Sequence, residues 1–289
     1  MQKTINYKNK TKLITKLLEQ EDIIELQKRS MLNKLSLKKK EFADVFFHTG
    51  QVFDNETIEN IQNAKKVIVS AKIAKKELLQ KVDISAEKVE IVYPAISIEY
   101  RKPKEVREEV CEKLGIDSKK KIVFFTGRNL KTSGVVEFIN MVMKLNFRNM
   151  IAVIAADKKQ IYNLRFKLSK YDVGDRLLLI EDYENINELF LASDVFVLPS
   201  YNQNFATNIL KAMYCKCAVF TTVNNAASEV IDVFSTMETP QDGSMQFKID
   251  ALLQNKADMK LIKNQNRKIA KEYTLDKQLK KVQDIIKLV

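Results

Sequence analysis

Two segments of the sequence carry side chains suited to holding an anion. The first, TGRNLKTSG at 126–134, leaves an apolar run and enters a stretch with helical spacing. Gly127 permits close approach of the backbone, Arg128 offers a planar fork that matches a phosphate, and Lys131 adds a point charge at a helix N-terminus. The segment lacks the Gly-Lys-Ser/Thr ending of a Walker loop and the GxGxxG of a dinucleotide turn. A diphosphate site and a plain β–α turn with a glycine and exposed basic residues both fit this fragment. The second segment, PSYNQNFATNILKAM at 199–213, again joins an apolar run to a helical stretch, with amide side chains around the helix entrance. Backbone N–H groups from Phe205, Ala206, Thr207 and Asn208 would face the crevice, and the helix dipole would favour negative charge there. Two helix N-termini and one arginine make a diphosphate pocket without metal; the competing reading is that Asn204 and Thr207 are only helix caps.

The elements that must position these loops are legible from residue 121 onward. Apolar runs of strand length, KIVFFTG (121–127), MIAVIAA (150–156), RLLLI (176–180), DVFVLPS (194–200) and CAVFTT (217–222), alternate with stretches of helical spacing. Strands without clean polar alternation, joined by helices, imply a parallel sheet covered on both faces, whose ligands bind beyond the carboxyl ends of the strands. The loops to inspect therefore begin at Gly127, Glu181 and Ser200. Upstream, DVFFHTG (44–50), AKKVIVS (64–70) and KVEIVYPA (88–95) read as further strands, with a basic helix from Ala71 to Val82 between the last two. Residues 11–40 are helical in pattern, and the tail from Ala251 is helical almost to Val289, with a break near Tyr273 to Asp276 where Thr274 could cap a last helix. Pro94 and Pro103 bracket AISIEYRK, the expected linker. The domains are expected at 1–98 and 99–270, with a closing helix at 271–289.

The 289 residues include three cysteines and one histidine, which argues against a disulfide scaffold and against a Cys/His metal site. No segment is apolar for 18 consecutive residues and the first ten residues contain no apolar signal core, so a cytoplasmic chain is expected. Its net charge of +12 is unevenly spread, with +5 in residues 1–50, +6 in 251–289, and balance across 121–250. No RGG tract, zinc knuckle or basic helix interleaved with aromatics accompanies that charge, so nucleic acid is not an expected partner.

The order of the motifs resembles the retaining glycosyltransferases of family 4, which have the GT-B fold of two facing Rossmann-like domains. The resemblance runs over residues 64 to 289, through AKKVIVSAKIAKKELL, KVEIVYPAIS, KIVFFTGRN with SGVVEFI, INELFLASDVFVLPS, NFATNILKAMYCKCAVFTT and ASEVID. It implies an α/β fold class with two parallel-sheet domains, the N-terminal acceptor-side one abbreviated and the closing helix packed back on it. It also implies transfer of a sugar from a UDP- or GDP-linked donor to a glycan or lipid-linked acceptor in cell-surface polysaccharide or glycoconjugate synthesis, with no cofactor beyond the donor and no metal.

Carried over residue by residue, the resemblance makes Arg128 the arginine that meets the donor diphosphate. The family's lysine falls on Ser133, with Lys131 two residues earlier as a substitute. Asp182 and Tyr183 occupy the loop that in the family passes beside the nucleotide base, with an ordinary exposed turn as the competing reading, and His48 matches a family histidine at a strand end facing the cleft, with a hydrogen-bonded structural histidine as the competing reading. Two glutamates spaced E-x7-E, for the sugar and the ribose, are replaced by Gln203 and Lys211. Lysine cannot accept a hydrogen bond from a ribose diol. The departures imply either an altered donor or pose, or a catalytically silent binding module of the same fold. The short N-terminal domain suggests completion by a partner protein, and the charge at both ends suggests one basic face suited to the inner face of an anionic membrane.

Overall fold

A strand enclosed between strands needs only one or two buried side chains per face, and the first element shows how polar such a strand can be. In the computed structural model, which describes residues 2–27, 40–48, 50, 52–169 and 174–289, β1 (Lys3–Tyr7) buries Ile5 completely while its other residues are half-buried. This strand was not expected, because KTINY has a single aliphatic residue. It lies mid-sheet nonetheless, held by Asp44, whose carboxylate accepts from the Thr4 amide at 2.8 Å and hydroxyl at 3.0 Å.

The described residues divide into two units, Met1–Ser97 with Tyr273–Val289, and Ile98–Glu272. In the first, β1 is followed by α1 (Lys12–Leu18), β2 (Ile23–Glu25), β3 (Val45–His48), α2 (Asn55–Asn63), β4 (Lys66–Val69), α3 (Lys72–Lys81) and β5 (Val89–Ile91). The sheet is wholly parallel in the order β2-β1-β3-β4-β5. The long helix expected over 11–40 is corrected. Among the described residues of this span only Lys12–Leu18 is helical, and beyond the turn at Glu21-Asp22 the chain runs as strand Ile23–Glu25, with Ile23 buried and Ile24 and Glu25 exposed. Residues 28–39 lie outside the described residues.

The second unit runs α4 (Pro103–Leu114), β6 (Lys121–Thr126), α5 (Val135–Lys144), β7 (Met150–Ala156), α6 (Lys158–Leu168), β8 (Leu177–Glu181), α7 (Ile186–Ala192), β9 (Val195–Leu198), α8 (Thr207–Tyr214), β10 (Ala218–Thr222), β11 (Thr236–Met237), α9 (Met245–Gln254) and α10 (Lys256–Ala270). Two 3-10 turns, Ala226–Val230 and Val233–Ser235, lie between β10 and β11. The sheet is again parallel, in the order β11-β10-β9-β6-β7-β8. Its runs are apolar throughout because both faces are covered, and Phe124, Phe190 and Phe196 meet at its centre with ring centroids 5.1 to 5.8 Å apart.

The last helix, α11 (Leu275–Lys287), belongs to the first unit, where Val282, Ile285 and Ile286 join Ile5, Leu13 and Leu17 in one core. The charge of the C-terminal segment is thereby divided. Six of the ten basic residues after Ala251, from Lys256 to Lys271, lie in the second unit rather than with residues 1–50.

Candidate functional site

Strand order decides where a ligand can sit in the second unit. The chain proceeds from β6 to β7 and β8 on one side, then crosses to β9 and β10 on the other, so the reversal falls between β6 and β9. Loops leaving the carboxyl ends of two such strands diverge and leave a crevice. A cleft of about 700 Å3 occurs there, lined by Thr126, Gly127, Arg128, Asn129, Thr132 and Ser133 from the first loop and by Leu198, Ser200, Asn202 and Asn204 to Asn208 from the second, with Asn225. These residues include one cation, five asparagines and no carboxylate, so the cleft is electrostatically suited to an anion.

Both helices that open on the cleft lack a side-chain cap. Gly134 is the N-cap of α5 in a left-handed conformation, and Ala206 is the N-cap of α8; neither offers a capping group. Thr11, Asp54, Asp157, Asn185 and Asn255 all cap their helices. The reading of Asn204 and Thr207 as caps is therefore set aside, and the α8 dipole is open to the cleft.

The loops are held by a polar network that sequence reasoning missed. Asn225 is buried and uses all four of its hydrogen-bonding valences: its oxygen accepts from the Ala206 and Ala227 amides, and its nitrogen donates to the carbonyls of Asn202 and Asn204 at 2.8 Å. One of the amides expected to face the crevice, that of Ala206, is thus engaged by Asn225. Thr132 ties the loops together, its carbonyl accepting from the Tyr201 amide at 3.0 Å and its hydroxyl from Asn202 at 3.2 Å. Gln160 on α6 donates to the Arg128 carbonyl at 3.2 Å and accepts from the Leu130 amide at 2.7 Å, which fixes the backbone beneath the arginine.

Of the residues singled out from sequence, Gly127, Arg128, Asn204, Phe205, Ala206 and Thr207 come together in the cleft. Gln203 is exposed on the same loop but is not part of its lining, and Lys131 is exposed outside it. Lys211 is half-buried one helical turn after Thr207, on the same face of α8. Asp182 and Tyr183 have local duties. The Asp182 carboxylate accepts from the Lys158 amide at 3.1 Å at the start of α6, and the Tyr183 hydroxyl donates to Glu188 at 3.2 Å while the Lys113 ammonium lies 4.7 Å from its ring. Burial and Glu188 raise the Tyr183 pKa to about 12. The cysteines Cys215 and Cys217 are buried, and burial pushes both thiols up, which keeps them protonated. Among the described residues no group of three or more His, Cys, Asp or Glu could hold a metal ion.

His48 ends β3 in the first unit, 4% exposed, its ring 4.9 Å from that of Phe53. Among the described residues neither ring nitrogen has a hydrogen-bond partner. Burial first, then the charge of Lys8, lower its pKa to about 4; Lys81 acts in the same sense, against Glu77 and Asp54. An unfolded histidine titrates near 6.5, so the unfolded chain takes up its proton first as pH falls. The stabilisation from a neutral His48 is complete above pH ~6.5 and is lost down to about pH 4, up to about 3 kcal/mol. Urea unfolding at pH 7 and pH 4 should show the native protein losing more stability than His48→Phe by about that amount; parallel pH profiles would refute it.

Comparisons with known proteins bear on the fold and the family of the chain. A lipopolysaccharide core biosynthesis mannosyltransferase, LpsB of Rhizobium meliloti (strain 1021), is 29% identical over 132 residues, which cover 43% of this chain and 38% of that protein. The chain thus matches well under half the length of this curated relative. Among solved structures, Anabaena Alr3699/HepE in complex with UDP superposes with a TM-score of 0.79 at 12% identity, covering 100% of both chains. A glycosyltransferase from Rickettsia africae ESF-5 superposes with a TM-score of 0.75 at 16% identity, covering 98% of this chain and 89% of that one. Both likenesses establish the GT-B fold. Residues 106–269, which contain the whole cleft, match the family model for glycosyl transferases group 1, and with more than half of its length so matched the protein belongs to that family.

Proposed function

We propose that the protein transfers a sugar from a UDP- or GDP-linked donor to a glycan or lipid-linked acceptor, in the synthesis of a cell-surface polysaccharide or glycoconjugate. The observation that carries this reading is the cleft between β6 and β9, with Arg128 as its one charged side chain and the uncapped start of α8 in its wall. Breaking the bond from the sugar to the diphosphate leaves negative charge on the departing oxygens. Arg128 and the α8 amides meet that charge without a metal, and the cleft's asparagines and hydroxyls supply neutral hydrogen bonds. Gln203 and Lys211 stand beside this cradle, where they would alter the pose of sugar and ribose. His48, neutral and without a hydrogen-bond partner among the described residues, is proposed on the acceptor side. The likeness to a UDP complex and to a lipopolysaccharide mannosyltransferase supports the same substrate class. Contact with an anionic membrane surface, at the inner face of the membrane, would bring a lipid-linked acceptor within reach.

Calorimetric titration with UDP, GDP and a panel of their sugars tests this reading. A donor nucleotide should bind, and Arg128→Ala should weaken it at least tenfold, consistent with about 1.5–3 kcal/mol for a hydrogen bond to a charged group. Absence of binding to every nucleotide, or equal affinity in the variant, overturns it. Binding with no turnover on any acceptor would favour the silent-module reading that Gln203 and Lys211 allow.

A further inference from the structure

A second gathering of positive charge lies at the opposite edge of the same sheet. Because the strands are parallel, the ends where the chain enters β6, β9 and β10 face away from the cleft, about 17–20 Å off along a six-residue strand. There a cavity of about 330 Å3 is lined by Lys121, the first residue of β6, by Lys216 ahead of β10, and by Lys256, Lys260 and Lys263 on α10, with Asp194 ahead of β9. Asp194 is the one carboxylate, and it is already shared among Arg107 at 3.0 Å, Lys263 at 3.1 Å and Lys121 at 3.3 Å. Lys216, Lys256 and Lys260 make no ion pair among the described residues. Three lysines without an ion pair among the described residues therefore line one small space, beside a single carboxylate that is already shared.

Lys216 supplies an independent observation. Its φ of +62° is left-handed, a conformation that favours glycine, at the turn from α8 into β10. The chain holds a strained backbone at the residue whose side chain lines this cavity.

We propose that this cavity binds a phosphate-bearing anion, with Lys216, Lys256 and Lys260 on its terminal oxygens and Lys121 and Lys263 shared with Asp194. Lysines are point charges on flexible stems, so they suit a phosphate group without imposing the planar geometry of an arginine fork. The volume is at the small end of ligand sites and accommodates one or two phosphate groups with a modest organic part. The same group is presented by a soluble phosphorylated molecule and by a phospholipid headgroup.

The test uses inorganic pyrophosphate as the probe and Arg128→Ala as the background, so that the cleft's contribution is weakened at least tenfold, and the lysine substitutions then report on the second cavity. Calorimetric titration should show pyrophosphate binding to the full-length Arg128→Ala protein, and at least a tenfold loss when Lys256→Gln and Lys260→Gln are added. Both lysines are exposed on α10, so their melting temperature serves as a check on folding. Lys216→Gly, in the same background, should weaken pyrophosphate at least threefold while leaving the melting temperature unchanged or raised. No pyrophosphate binding to Arg128→Ala, or affinity unchanged by these substitutions, overturns the proposal. Co-sedimentation with phosphatidic acid/phosphatidylcholine vesicles separates the sources: loss of vesicle binding in the Lys256→Gln/Lys260→Gln protein assigns a lipid headgroup, and unchanged vesicle behaviour beside lost pyrophosphate binding assigns a soluble phosphate.

Discussion

Gly134→Ala is expected to destabilise the protein by about 3–5 kcal/mol and to abolish nucleotide binding, through left-handed strain combined with overpacking. A Cβ at this position would lie 2.7 Å from the Pro199 carbonyl carbon and closer still to its oxygen, both backbone atoms of the neighbouring loop. Neither a side-chain rotation nor a local shift relieves such an overlap. The first loop enters α5 at Gly134 and the second begins at Pro199, so separating them opens the cleft itself. Gly115→Ala is the control. Its φ of +65° is also left-handed, but a Cβ there would meet nothing within 4 Å, so only the conformational cost of about 1–2 kcal/mol applies. Urea denaturation of the two variants, with UDP titration of each, checks the difference. A Gly134→Ala protein no less stable than Gly115→Ala, or one that binds UDP normally, would show that the close approach of the two loops is unimportant.

What the sequence made legible follows from burial. Runs such as KIVFFT and MIAVIAA are uniformly apolar because helices cover both faces of the sheet, and they were readable for that reason. β1 was not, because Asp44 compensates its polar residues from 40 positions away, and no local pattern reports such a partner. In the cleft, Gly127 and Arg128 were readable because a glycine and a fork-shaped cation directly follow a strand. Asn225 was not, since its four bonds reach loops about twenty residues upstream as well as its own turn. Ser133 shows the limit of position-by-position comparison. It occupies the place of the family's lysine, yet it is buried against Gly127, where an added Cβ would fall 2.7 Å from the Ser133 Cβ, so the serine packs inside the loop and gives the cleft no second cation. The motif LASDVFVLPS was likewise visible as a string, but the work of its aspartate emerges only in three dimensions.

That aspartate, Asp194, is where the second large effect is expected. Its carboxylate is buried, pairs with Arg107, Lys121 and Lys263, and accepts from the Ile122 amide at 3.2 Å. Arg107 also donates to the carbonyls of Ala192, Ser118 and Lys120, so one charge network joins α4, β6, β9 and α10. Asp194→Ala strands three cations and an amide around a void and should cost about 3–5 kcal/mol, the range for breaking a buried pair from one side. Asp194→Asn retains an acceptor for Ile122 and should cost less. Burial alone would raise the Asp194 pKa, but Lys263, Arg107, Lys121 and the Ile122 amide together hold it below the usual carboxylate range. The folded value is depressed, so this stabilisation is complete above about pH 4, where an unfolded aspartate is ionised, and is lost as pH falls through the folded value. The gap between native and Asp194→Asn proteins in urea unfolding should therefore be constant from pH 5 to 8 and close below pH 4. Asparagine also removes the one carboxylate of the lysine-lined cavity, so the same variant, though less stable, should bind pyrophosphate several-fold more tightly in the Arg128→Ala background. A general loss of structure would lower both readouts, whereas the charge network described here moves them in opposite directions.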